Sequence, residues 1–466
     1  MVAASVDMAV VDVWQRELGE LSNRKFGQRL AASQDVVLRL DISKKLEKNQ
    51  GCVGGASFNA DGSVLVYGFA DSRIRLWDWE AGISKLTFDS GHVYINNVFA
   101  VKIMPYTDDR SLITCSSDGQ VRHAQISEYD VETRELGEHH GPAYDLAVEP
   151  GSPHIFYSCG GDGVVKQIDL RTVAATDLFK CRPIDDRRLH FQVVPLYHIA
   201  VDPRNPNLFA VAGLDKYARL YDIRRSKRDG STDFGKPVDH YHPLHLIGVH
   251  LVGVTGLAFS YQSELLVSYS DISICLFKQN MGLGHDPVSS SPYYARSEAN
   301  VTPQVYKGLA NKEREKGVSF FGPKSEYVVT GSDYGRIFIW KKKGGELVRV
   351  MKADKRSVNS IESHPQTGVL ASCGTEEIKI WTPKAIDKAV LPTQIELDQQ
   401  RKLISLPLLL CKRFGDAADT DSRPSLESTM LVSIFLVVSS CLLLKRNDDC
   451  DADRLDVHDA DDNEDE

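Results

Sequence analysis

Residues 322–340 read GPKSEYVVTGSDYGRIFIW. A β-branched and aromatic run, Tyr327 to Thr330, meets a cluster of turn formers, Gly331-Ser332-Asp333 and Gly335, and a second apolar run then ends on Trp340. Small residues before an Asp-containing turn suit a tight hairpin, because the carboxylate accepts amides of its own turn and glycine tolerates positive φ. The arrangement recurs along the chain. Runs equivalent to RIFIW are RIRLWDW (73–79), VRHAQI (121–126), VVKQIDL (164–170), ARLYDI (218–223), ISICLF (272–277) and IKIW (378–381). The turn before each carries an aspartate in six cases: Asp71, Asp118, Asp162, Asp215, Asp271 and Asp333. Upstream lie strand-like runs such as SLITCS and NLFAVAG, and before those a further alternating run such as FAVKIMP or HIAVDP.

Taking Trp77, Ala124, Ile168, Tyr221, Phe277, Trp340 and Trp381 as equivalent, the spacings are 47, 44, 53, 56, 63 and 41 residues. These match or exceed the roughly 40–45 residues of a four-stranded propeller blade, the excess being loop. At 466 residues the chain is too long for one ordinary core, so a repeat architecture is expected. The expectation is an all-β, seven-bladed β-propeller over 35–390. Before it, the spacing of Val10, Val13, Trp14, Leu18, Leu21, Phe26 and Leu30 predicts one or two amphipathic helices, giving a helical extension over 1–34. VVLRLDI (36–42) alternates in the manner of an outer strand, so 35–45 is expected to close the ring and remove its exposed edge. Residues 282–307, rich in Ser, Pro and Gly, are expected to form a flexible loop between blades.

From 391 to 466 an irregular acidic tail is expected. Residues 447–466 hold eleven acidic residues against Arg454, so this end carries nearly all of the formal charge of −9 and residues 1–446 are almost neutral. A neutral body gives no global field for nucleic acid, and direct nucleic-acid binding is not expected. The basic clusters Arg187-Arg188, Arg224-Arg225 with Lys227-Arg228, and Lys341-Lys342-Lys343 fall in different repeats and are expected to be solvated loop charge. The uncharged run 430–444, MLVSIFLVVSSCLLL, spans about 22 Å as a helix, short of a hydrocarbon core of about 30 Å. It is the one candidate for a tail anchor, and membrane attachment is not expected. Nine cysteines without a C-x-x-C spacing read as reduced, intracellular thiols.

No P-loop, G-x-S-x-G, H-E-x-x-H or strand-linked G-x-G-x-x-G occurs, so no catalytic residue is assigned, and neither a cofactor nor a metal is expected. The densest imidazole cluster, His240, His242, His245 and His250, reads as a polar connection between blades. His92 is expected to pair with Asp118 inside the fold, and Trp77, Trp340 and Trp381 to be core. What stands out is an aspartate followed two residues later by an arginine at the end of a strand, twice: Asp169 with Arg171, and Asp222 with Arg224. The side chains share one direction along the pleat, and arginine projects a five-donor fork. Two readings are open. Each arginine bridges to an acidic residue of the neighbouring blade and stiffens the ring, or the two forks form a docking surface.

These elements resemble the WD-repeat family in Leu76-Trp77-Asp78, in Gly91-His92 with Asp118, and in Gly331-Ser332-Asp333 with Trp340. GPKSEYVVTGSDYGRIFIW (322–340), DGQVRHAQI (118–126), EPGSPHIFYSCGGDGVVKQIDLRT (149–172) and SHPQTGVLASCGTEEIKIWTPKA (363–385) are more specifically similar to the WD-repeat substrate receptors of cullin-4 ubiquitin ligases, of the associated-factor-8 type. The resemblance implies a non-enzymatic, substrate-recognition subunit that docks to the adaptor, damaged-DNA-binding protein 1, through Asp169, Arg171, Asp222 and Arg224. It implies a role for the N-terminal helices in the same docking, an unknown protein substrate, and a place in nucleus and cytoplasm. The alternative is a general WD-repeat scaffold outside any ligase; a third reading is a hydrolase or metal enzyme with its site in the central channel.

Overall fold

Tyr327–Gly331 and Arg336–Lys341 form an antiparallel hairpin with Val328 opposite Trp340, and every residue of the first strand is buried. Full burial on both faces is why the runs YVVTG, SLITCS and VLVYGF are continuously apolar or small instead of alternating: such a strand packs one face on the preceding blade and the other on the following one, as Val328 packs with blade 5 and Val329 with blade 7. The computed structural model describes residues 4–391, except 49–52, 70, 93–96, 185–191, 227–234, 244–245, 247–251, 271–273, 285–301, 308–316 and 376.

Seven four-stranded antiparallel sheets make up the fold. Blade 1 comprises Val53–Phe58, Val64–Phe69, Arg73–Asp78 and Ile83–Asp89; blade 2 comprises Val98–Ile103, Ser111–Ser116, Gln120–Ile126 and Val131–Glu138. Blade 3 comprises Ala143–Val148, Ile155–Gly160, Val164–Asp169 and Ala174–Lys180; blade 4, Leu196–Val201, Leu208–Gly213, Ala218–Asp222 and Asp239–Tyr241. Blade 5 comprises Val254–Phe259, Leu265–Tyr269, Ile274–Phe277 and Gln304–Tyr306; blade 6, Val318–Phe321, Tyr327–Gly331, Arg336–Lys341 and Leu347–Lys352. Blade 7 takes Val358–Ser363, Leu370–Gly374 and Glu377–Pro383, and its outer strand is Leu40–Lys48 from the other end of the chain. The first strand of each blade touches those of its two neighbours in cyclic order, Val358–Ser363 returning to Val53–Phe58, so the ring is closed.

Two boundaries differ from the sequence expectation. The closing strand, expected over 35–45, is Leu40–Lys48, with Ile42 opposite Trp381. Residues 34–38 are instead a short helix, because Ser33 caps it by accepting the Val36 amide and both Val36 and Val37 find burial there. The end of the expected 282–307 loop is likewise ordered: Gln304–Tyr306 is the outer strand of blade 5, and buried Tyr306 donates its hydroxyl to the Lys342 carbonyl at 2.7 Å. The helical extension consists of α1 (Ala4–Glu17), α2 (Asn23–Ala31) and α3 (Gln34–Leu38). The tail from 392 onward, with the runs 430–444 and 447–466, lies outside the described residues, as do His245, His250 and Asp271. Among the described residues no helix is long and apolar enough to cross a membrane.

All blades run in one sense, so the connections from first to second strand and from third to fourth emerge at one end of the ring, here the lower end. Connections from second to third strand, and those between blades, emerge at the upper end. Bonds between loops agree: Asn59 donates to Asp109 at 2.8 Å across the lower ends of blades 1 and 2, and Ser263 to Asp202 at 2.8 Å across blades 5 and 4. The helices α2 and α3 reach the ring at the lower end of blades 6 and 7. There Tyr327 donates to the Ala32 carbonyl at 3.1 Å, Arg349 to the Val37 carbonyl at 2.7 Å, and Val36 packs where a Cβ on Gly368 would sit.

Candidate functional site

Asp169 ends the third strand of blade 3 opposite Ile155, and Asp222 ends the third strand of blade 4 opposite Leu208, the first residue of the second strand in each case. In both, the residue between Asp and Arg continues the ladder: Leu170 donates to the His154 carbonyl and Ile223 to the Asn207 carbonyl, each at 2.9 Å. In both, the aspartate takes the amide of the arginine two residues on, at 2.9 Å and 3.0 Å. The same carboxylate then grips the guanidinium at two points. Nε donates to Oδ1 at 3.0 Å and Nη2 to Oδ2 at 2.7 Å, in Arg171 and Arg224 alike. The bridge to a neighbouring blade, one of the two readings from sequence, is therefore not what these arginines make: each is clipped to its own strand.

The clip fixes the fork without burying it. The side chains of Arg171 and Arg224 remain 60% and 62% exposed, and Nη1 of both has no hydrogen-bond partner among the described residues. The Arg171 hydrogen bond pulls the Asp169 carboxyl down to about 2, so the pair is charged under any ordinary condition. Because blades 3 and 4 are neighbours, two pre-oriented forks stand side by side at the lower end, the end that α2 and α3 also occupy, although the helices sit beside blades 6 and 7. The other blades place Asp78, Gln125, Lys278, Lys341 and Thr382 where these two have aspartate, and none has an arginine two residues later.

Exposed aromatics at the lower end escaped sequence reasoning. Tyr106 and Tyr129 of blade 2 are 80% and 93% exposed, and Tyr261 of blade 5 lies under the guanidinium of Arg204, 4.9 Å from its centroid. Their polar flanks, Thr107-Asp108-Asp109, Glu128 and Asp130, and Gln262-Ser263, place them in loops, but which end of the ring those loops occupy follows only from the fold.

The repeat positions fall into three groups. His92 and His139 are buried, with Nδ1 3.1 Å from Asp118 and 3.0 Å from Asp162, and Nε2 on Thr114 at 3.0 Å and Ser158 at 2.9 Å. Burial pushes His92 down, so it stands neutral, donating from Nδ1 to the carboxylate. In blade 4 the equivalent Asp215 has a different partner, the buried Arg219, whose Nη1 donates to Oδ1 at 2.8 Å and whose Nη2 bonds Oδ2. Asp333 stands one residue earlier in its turn than Asp118 does: Gly335 N bonds Ser332 O as Gly119 N bonds Ser116 O, and the Ser332 hydroxyl accepts the Arg336 amide. Trp340 and Trp381 are buried, donating to the Lys307 carbonyl at 3.1 Å and to Ser372 at 2.9 Å, whereas Trp77 is only half-buried.

Among the described residues no group of His, Cys, Asp and Glu gathers to hold a metal. Of the expected imidazole cluster, His240 bonds the Gly284 carbonyl at 2.9 Å and His242 packs on Tyr217. Of the basic clusters, Lys341 pairs with Glu346, and Lys342 is buried against Glu264 and Gln262.

Residues 41–78 match the model of the WD domain, G-beta repeat. That stretch is the outer strand of blade 7 followed by the first three strands of blade 1, so the sequence repeat is offset from the structural blade by the closing strand. Over longer spans the chain is similar to three kinds of curated protein. It is 30% identical over 297 residues to Protein ALTERED SEED GERMINATION 2 of Arabidopsis thaliana, covering 55% of this chain and 38% of that protein. It is 27% identical over 436 residues to DDB1- and CUL4-associated factor 6 of Homo sapiens, covering 91% of this chain and 50% of that one. It is 29% identical over 213 residues to WD and tetratricopeptide repeats protein 1 of Homo sapiens, covering 46% and 31%. The chain thus spans half the length or less of these relatives. The associated-factor name among them is factor 6, not the factor-8 type expected from the sequence.

Proposed function

We propose that the chain is the substrate-recognition subunit of a cullin-4 RING ubiquitin ligase, of the DDB1- and CUL4-associated factor class. The observation that carries the reading is the doubled clip. Asp169 with Arg171 and Asp222 with Arg224 have the same bonds at the same register on adjacent blades, and hold exposed forks that stabilise little internally. Arginine is favoured at protein interfaces for bidentate pairing and stacking, and a fork already held in place loses less freedom on docking. The names of the factor-6 relatives supply the partner, damaged-DNA-binding protein 1; within the class they favour factor 6 over factor 8. Exposed Tyr106 and Tyr129 on blade 2, next to blade 3, extend the surface with aromatic anchors.

In this reading the chain supplies proximity, and ubiquitin transfer is performed by the RING and E2 subunits. It works in nucleus and cytoplasm, within the ubiquitin-like conjugation pathway; carbonate-resistant membrane fractionation dependent on residues 430–444 would contradict that placement.

The test is co-purification of the adaptor with the wild-type chain and with the Arg171→Ala/Arg224→Ala double variant, both checked for equal melting temperature. Adaptor recovered by wild type and lost by the double variant is expected. Wild type that recovers none sinks the ligase reading and leaves a general scaffold; a folded double variant that binds equally well sinks only the arginine assignment.

A further inference from the structure

The upper mouth of the central channel carries three aromatic side chains in a row. Phe99, Tyr144 and Tyr197 are the second residues of the innermost strands of blades 2, 3 and 4, and in each strand the register slips at that residue. A bulge leaves one residue unpaired in the ladder and re-aims its side chain. Here the re-aimed rings meet one another. Phe99 and Tyr144 have centroids 5.2 Å apart at 30°, and Tyr144 and Tyr197 5.0 Å apart at 84°, all three half-buried. On the other side of the mouth the slipped residues are small or polar: Gly54 and Gly55 on blade 1, Thr255 on blade 5 and Asn359 on blade 7. Among the described residues, the slipped positions of the innermost strands are therefore aromatic on one arc only.

Charge lies directly beneath the arc. Asp145 follows Tyr144 in the strand and accepts the amides of Leu146 at 2.8 Å and of Ile199 in blade 4 at 3.2 Å, with His198 Nδ1 at 3.7 Å. Two amide bonds leave a carboxylate with lone pairs to spare. Deeper in, the wall is small, with Ser57, Ala147, Ala200 and Ala258 at equivalent register, apart from Lys102, whose ammonium lies 3.4 Å from Glu362. Two carboxylates thus face one lysine. Exposed cations of this end among the described residues include Arg182, in the connection entering blade 4, and Lys355 and Arg356, in the connection entering blade 7 across the channel from the arc.

We propose that this mouth receives an arginine side chain presented by a protein partner. Aromatic faces are negative and attract cations, arginine more often than lysine. A guanidinium is planar and weakly hydrated, so it stacks on the rings while its fork reaches the Asp145 carboxylate. An apolar occupant would cover that carboxylate and give it nothing. The site is at the end of the ring opposite Arg171 and Arg224, so it stands whether or not the adaptor binds, and a partner held here leaves the lower end uncovered.

The experiment titrates fluorescein-labelled Gly-Gly-X-Gly-Gly peptides onto the full chain, with X as arginine, citrulline, lysine, trimethyl-lysine or leucine. The arginine peptide is expected to bind about ten-fold tighter than its neutral isostere, citrulline. Tyr197→Leu and Asp145→Asn, at unchanged melting temperature, should each remove that preference, and Arg171→Ala/Arg224→Ala should leave it intact. Tyr144→Leu serves as a second arc variant should Tyr197→Leu fail to fold. Equal affinity for arginine and citrulline, no measurable binding of either at millimolar peptide, or a preference for trimethyl-lysine over arginine would each overturn the proposal.

Discussion

Arg219 is the most consequential charge inside the ring. It is 1% exposed, Asp215 is 8% exposed, and the guanidinium also donates to the Tyr217 carbonyl at 3.2 Å. Burial by itself would lower the arginine's affinity for its proton, but the Asp215 carboxylate, with Cys181 and Tyr221, raises it on balance, so the cation is fixed. Replacing it by methionine preserves most of the volume and leaves the buried Asp215 side chain without its guanidinium partner, keeping only the Tyr217 amide. Removing one partner of a buried pair costs about 3–5 kcal/mol, whereas replacing both by apolar residues is close to neutral. For a segment of this size the unfolding entropy is roughly 0.8 kcal/mol per kelvin, so Arg219→Met should lower the melting temperature by about 4–6 °C. Asp215→Leu/Arg219→Met should recover at least half of that. Differential scanning calorimetry measures both, and hydrogen exchange should show the loss concentrated in Ala218–Asp222, the strand that also carries the Asp222 clip. If Arg219→Met melts within about 1 °C of wild type, or the double variant is no better than the single, the pair is not holding blade 4 as argued.

Val173 sits at φ 55°, a left-handed conformation costly for a β-branched residue, in the turn just after Arg171. Val173→Gly should therefore raise stability by up to about 1 kcal/mol in urea unfolding, and a loss of stability would show the turn to be unstrained. Burial, with Arg134 nearby, pulls buried His123 down to about 4 while Nε2 bonds Ser111 at 2.7 Å. It stays neutral when folded, whereas the unfolded chain takes up a proton below about 6.5; its contribution to stability therefore falls as pH drops from about 6.5 to about 4. An NMR titration of the ring should show its midpoint near 4, and a midpoint near 6.5 would contradict its placement. For Asp169 the folded carboxyl is depressed to about 2, so its clip is complete above the unfolded value near 3.8 and is lost only as pH falls through about 2. Carboxyl shifts of Asp169 that move already at pH 4 would show that Arg171 is not bound in solution.

The sequence by itself determined the number and order of blades. Seven strand–turn–strand units ending at Trp77, Ala124, Ile168, Tyr221, Phe277, Trp340 and Trp381 are visible because a strand squeezed between two blades must be apolar throughout and its turn must carry Gly and Asp. It also singled out Asp169, Arg171, Asp222 and Arg224, since a spacing of two on a pleat is a local property. Tertiary structure decided the rest. Whether each arginine crosses to another blade or turns back on its own aspartate depends on distances between strands far apart in sequence, and so does the choice of Arg219 as partner of Asp215. The helix at 34–38 won over the alternating strand pattern because Ser33 caps it and the ring offers Val36 and Val37 a buried seat. The aromatic arc is the clearest case: Phe99, Tyr144 and Tyr197 are 45 and 53 residues apart, and only the closing of the ring, with a bulge in each innermost strand, brings their rings into contact.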